Sequence, residues 1–255
     1  MHTPIQVVMG SMLAVCAFAV RGGIEVLGRC AQMMVPIIVL LYVAFVLLLL
    51  PDLNPDRLFP VMEHGWVPSL TGSVVLQGWF SEFAGIAFLL PVLADQGKAL
   101  RWSMISVASV ALVLMLANLV TLMLFGGLTD RLDFPVPAAA RYIHIPGFVE
   151  HPEAMVTAVW VFAVFLKIAV FYYLLVQCTA RLSGLTDCRP VVLPLGVLVF
   201  LSGIWEASPG LQEPAGALRT SVVFEVLAMQ LCIPVMLLVI AGIRRMKEKR
   251  KAVRS

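Results

Sequence analysis

Two charged side chains in this sequence sit in unexpectedly apolar company. Glu82 lies within Gly78-Trp79-Phe80-Ser81-Glu82-Phe83-Ala84-Gly85, and Lys167 lies within Phe165-Leu166-Lys167-Ile168-Ala169. Each stands well inside a long hydrophobic run, where a charge costs at least about 2.5–3.5 kcal/mol on insertion scales unless a partner or water compensates it. A carboxylate and an ammonium in such surroundings suit two kinds of chemistry. One is a structural ion pair across a helical bundle; the other is a site that holds a small charged molecule or passes a proton. The residues alone leave both open. Phe80, Phe171 and Tyr172 lie close to the charges along the chain. Aromatic residues in apolar chains are interfacial anchors by default, and lining a pocket beside the two charges is the alternative. Other chemistry finds no support. His2, His64, His144 and His151 are scattered, and no H-E-x-x-H, G-x-S-x-G, P-loop or dinucleotide fingerprint occurs. Cys16, Cys30, Cys178, Cys188 and Cys232 lack C-x-x-C spacing, so neither a disulfide framework nor a metal site is expected, no cofactor is implied, and the chain does not read as an enzyme.

The elements that must position these residues follow from composition. Of 255 residues, 61% are hydrophobic and 13% charged, against roughly a quarter charged in soluble domains. A bilayer core about 30 Å thick takes about 20 apolar residues as a helix. Seven runs qualify, at 4–20, 24–50, 71–94, 103–125, 154–180, 190–204 and 221–243, with the first and sixth the shortest. The expected fold is therefore all-α, a polytopic membrane bundle of about seven transmembrane helices. It forms one membrane domain over 1–243, followed by a basic tail over 244–255. The net charge of +3 is too small to point to nucleic acid. Its distribution reports orientation instead: a cytoplasmic C-terminus puts Arg21, Arg29, Lys98, Arg101, Arg181, Arg189 and the tail inside, leaving Arg57, Arg131, Arg141 and Arg219 outside. Met1-His2-Thr3 has no basic n-region, so the first run does not read as a signal peptide.

Finer features add detail. Glu25 and Arg29 are four residues apart, the spacing of a helical ion pair with no further role. In the third run, Gly72, Gly78, Gly85 and Pro91 interrupt the apolar sequence around Ser81 and Glu82. Such an interrupted helix frees backbone groups to hold a substrate or ion; small residues for close helix packing are the other explanation. A retinal receptor wants a lysine in its last helix, and 221–243 contains none.

An ordered series of elements resembles spore germination permeases, the B subunits of bacterial germinant receptors and a branch of the amino acid–polyamine–organocation superfamily. It begins with Arg21-Gly22-Gly23-Ile24-Glu25-Val26-Leu27-Gly28-Arg29-Cys30-Ala31, Pro36-Ile37 and Leu50-Pro51-Asp52. It continues through Leu58-Phe59-Pro60-Val61-Met62-Glu63-His64-Gly65, Phe80-Ser81-Glu82 and Arg141-Tyr142-Ile143-His144-Ile145 with Phe148 and Glu153. Phe165-Leu166-Lys167 and Ile233-Pro234 complete it. The resemblance implies a LeuT-type fold of two inverted five-helix repeats, with Thr3-Pro4 at the start of the family's fourth helix and the first three helices absent. It also implies a ligand site at the broken sixth helix. Gly78, Phe80, Ser81, Glu82 and Gly85 would face a small nutrient such as an amino acid there, with Lys167 lining the same cavity. Ser81 departs from the glycine expected at its position. By the same resemblance, the protein sits in the spore inner membrane, in contact with the lipid bilayer and with other germinant-receptor subunits, and it signals. An amino acid permease is the alternative.

Overall fold

Helix is the only economical state for a chain this apolar, because it satisfies every backbone N–H and C=O within the segment. The computed structural model describes residues 4–59, 65–93, 95–132, 134–143, 152–206, 228 and 232–252. Every element among them is helical. The α-helices are α1 (Ile5–Arg21), α2 (Ile24–Leu49), α3 (Val67–Phe80), α4 (Ile86–Leu89), α5 (Ala99–Phe125), α6 (Pro135–Ala140), α7 (Pro152–Leu182), α8 (Arg189–Glu206) and α9 (Ile233–Ala252). Of the sequence candidates, His2, His64, His144, His151, Phe148 and Arg219 lie outside the described residues, as does much of the run 221–243 up to residue 231.

Among the described residues, three helical stretches are long and apolar enough to cross a membrane: Ile24–Asp52, Gln96–Arg131 and Ala154–Leu182. Shorter apolar helices occupy Ile5–Arg21, Ser81–Val92, Arg189–Trp205 and Pro234–Arg244. Among the described residues, each of the seven expected runs thus contains apolar helix.

The chain divides into two compact units, one of Met1–Val61 with Ala108–Ser208 and the other of Met62–Val107 with Pro209–Ser255. In the first unit, α7 is the central element and packs along α1, α2, α6 and α8. Its contacts with α1 and α8 bury small and β-branched residues, with Cys16, Ala169, Val176 and Val192 fully enclosed. The Cys16 thiol donates to the Phe165 carbonyl at 3.8 Å. A second cluster joins Phe45 and Leu49 of α2 to Val120 and Leu124 of α5, Ala139 and Ala140 of α6, and Val156 of α7. The alanines of α6 let its backbone approach closely. The segment after α2 folds back onto the end of α5: the Asn54 N–H donates to the Met123 carbonyl at 3.2 Å, and the Arg57 guanidinium donates to the Leu124 carbonyl. Carbonyls left open at a helix C-terminus are thereby satisfied.

Two residues turn α1 into α2. Gly23 adopts φ +83° and ψ −179°, a conformation only glycine adopts without strain. At the start of α8, the Asp187 carboxylate accepts the Arg189 N–H at 3.0 Å and satisfies one of the orphan donors there. The Glu25–Arg29 pair forms at 2.5 Å on the exposed face of α2, both side chains about three-quarters exposed, so its contribution is small.

Candidate functional site

The residues expected to form the site fall into two groups, Gly78 to Gly85 in the second unit and Lys167 to Tyr172 in the first. In the second unit, the start of α3 is anchored by local bonds, with the Thr71 hydroxyl donating to the Pro68 carbonyl at 2.9 Å. Its α-geometry lasts until Phe80; Ser81–Gly85 then continues as a 3-10 turn, α4 adds four residues, and Leu90–Val92 is 3-10 again. The sequence explains the irregularity. Gly78 and Gly85 bracket the turn with weak helix formers, and Pro91 has no N–H to give to the carbonyl four residues back. In a 3-10 turn, side chains three apart eclipse one another. Phe80 and Phe83 accordingly stack, with ring centroids 6.1 Å apart and planes 21° apart. Between these rings in sequence stand Ser81, half-buried, and Glu82, exposed. Gly78 lies in the last turn of α3, and Gly85 closes the 3-10 segment.

In the first unit, Lys167 and Phe171 are one helical turn apart on α7, on one face, and both are exposed. Tyr172 points elsewhere: only 3% exposed, it is packed between α7 and α8, and its hydroxyl donates to the Val192 carbonyl. Gly196 is what admits it, since a Cβ there would overlap the Tyr172 oxygen. Tyr172 is thus engaged in helix packing, while Lys167 and Phe171 present an exposed face.

Sequence reading did not anticipate this Tyr172–Val192–Gly196 junction. The signal was a glycine two residues after Pro194 in α8, and it identifies no partner by itself. Nor did it anticipate the pairing of Asp95 with Lys98 at 2.9 Å beside a cavity of about 520 Å³ in the second unit. Among the described residues, no group of three or more His, Cys, Asp or Glu side chains is placed to hold a metal ion.

Among the described residues every element is helical, and three helical stretches have the length and composition to cross a membrane, which marks the chain as a membrane-type helical protein. The chain belongs to the spore permease family, described as "Spore germination protein", whose model matches residues 1–209. It is 25% identical over 245 residues to spore germination protein KB of Bacillus subtilis (strain 168), covering 94% of this chain and 65% of the relative. Spore germination protein XB of Bacillus anthracis is 23% identical over 177 residues, 68% of this chain and 49% of the relative. The chain therefore spans between about half and about two-thirds of the length of these relatives. No solved structure matches it.

Proposed function

We propose that this chain is the permease-like B subunit of a spore germination receptor. It senses an amino acid or a similar small nutrient and signals to partner subunits in the spore inner membrane, with its basic tail in the cytoplasm. The observation that carries this reading is the family match over residues 1–209. The 3-10 interruption at Ser81–Gly85 supports a ligand site there. A helix that leaves α-geometry exposes backbone groups that an ammonium or carboxylate can engage, and Glu82 adds a charge to complement a nutrient's ammonium. In this reading the apolar helices make seven crossings of a LeuT-type arrangement, and no enzymatic step is involved. Ligand shifts the subunit toward its signalling state only by binding that state more tightly than the resting one.

Spores carrying Glu82→Gln at normal protein level are expected to lose their response to the nutrient, because the substitution keeps shape and removes charge. An unchanged dose–response curve would remove Glu82 from the site. Uptake of radiolabelled amino acid into vesicles distinguishes sensing from transport: accumulation abolished by the same substitution would make the chain a permease.

A further inference from the structure

The cavity in the second unit begins at Ile86, the residue after the Ser81–Gly85 turn, and reaches the start of the long apolar stretch Gln96–Arg131. Its floor is apolar, built from Ile86 and Leu89 of α4, Leu93, and Ala99 at the start of α5. The hydroxyl of Ser106, on its wall, donates to the Trp102 carbonyl at 2.9 Å, which occupies that donor internally. At the mouth stand Asp95 and Lys98, with side chains 55% and 68% exposed, and Trp102, itself 62% exposed. These residues begin the stretch Gln96–Arg131, whose 36 residues exceed what the bilayer core requires. Its end therefore lies at headgroup depth, the level at which tryptophan and lysine anchor membrane helices. The volume of about 520 Å³ is that of an ordinary small-molecule site.

We infer that this cavity holds one phospholipid with a zwitterionic headgroup of the phosphatidylethanolamine type, its phosphate on Lys98, its ammonium on Asp95 and an acyl segment along Ile86, Leu89 and Leu93. Charge complementarity selects this occupant. The Asp95–Lys98 pair is neutral as a unit and well exposed, so separating it costs little. A headgroup carrying both signs replaces that one ion pair with two. An anionic phosphatidylglycerol headgroup gains Lys98 but offers Asp95 only neutral hydroxyls, which bind a carboxylate less strongly than an ammonium does. Arg101, exposed and outside the lining, attracts the phosphate of either lipid and does not discriminate. The inference rests on the cavity alone and does not require the nutrient-sensing reading.

The test is lipid retention by the purified full chain, extracted from bilayers of equal phosphatidylethanolamine and phosphatidylglycerol and read by native mass spectrometry. One phosphatidylethanolamine per chain is expected to remain, in preference to phosphatidylglycerol. Lys98→Gln should lower its retention about fivefold, the scale of one exposed charge contact. Asp95→Asn should instead erase or invert the preference, because it removes the ammonium's partner and leaves a bare cation. Leu89→Trp, which fills the cavity and leaves both charges, should abolish retention. Unchanged melting temperatures of the Asp95 and Lys98 variants separate these effects from misfolding. Equal retention of both lipids, a preference untouched by Asp95→Asn, or displacement of the lipid by free leucine would each overturn the proposal.

Discussion

At the scale of single residues, the junction between α7 and α8 makes the most specific demand. The Tyr172 hydroxyl donates to the Val192 carbonyl through a gap that exists because position 196 has no side chain. Tyr172→Phe is expected to cost about 0.5–1.5 kcal/mol of stability, the net value of a typical hydrogen bond, seen as a lowered melting temperature in detergent. Gly196→Ala should cost more, because the new methyl and the phenol oxygen claim the same space. Combining the two should recover part of that loss, because the phenylalanine ring lacks the obstructing atom. Strict additivity of the two losses would show that the contact does not govern this junction. Glu82 and Lys167 could be singled out in the sequence because a charge is conspicuous in an apolar run. The burial of Tyr172 could not, since it depends on a glycine 24 residues further on.

At the scale of elements, the turn between α1 and α2 distinguishes two glycines that look alike in the sequence. Gly23 sits at φ +83°, where a side chain introduces about 1–3 kcal/mol of strain, so Gly23→Ala should lower the melting temperature. Gly28 lies within α2 and has open space around the position a Cβ would take. Gly28→Ala should raise it, by up to about 1 kcal/mol in stability, through helix propensity. Losses of equal size at both positions would mean that Gly28 is also needed for packing. The helices themselves were legible, because apolar runs bounded by Arg, Gly and Pro state where a membrane helix starts and stops. The short helix α6 was not, because Pro135-Val136-Pro137-Ala138-Ala139-Ala140 has the composition of a loop. It is helical because two prolines suit a first turn and two of its alanines, Ala139 and Ala140, pack in the cluster shared with α2, α5 and α7.

At the scale of the whole molecule, α7 provides the means to check the orientation proposed from the charge distribution. Its 31 residues extend about 46 Å, enough to put its two ends on opposite sides of a bilayer. An epitope inserted after Ser183 should be reached by antibody only in inside-out vesicles, and one inserted after Leu128 only in right-side-out vesicles. Detection of both in the same preparation would refute the proposed topology. The arrangement of α1, α2, α6 and α8 around α7 was beyond sequence reading, because nearly every residue involved is apolar on all sides and periodicity cannot mark the buried face. The interruption of the third run was legible as a pattern of Gly and Pro, but its geometry was not. That geometry has a mechanical meaning. A 3-10 turn rises about 2.0 Å and rotates about 120° per residue, against about 1.5 Å and 100° in an α-helix. Over the five residues Ser81–Gly85, exchange between the two forms shortens or lengthens the segment by about 2.5 Å and turns whatever follows by about 100°. The segment is, in effect, a screw thread of five residues: a ligand that favours either pitch converts its binding into an advance and a rotation of the chain beyond Gly85.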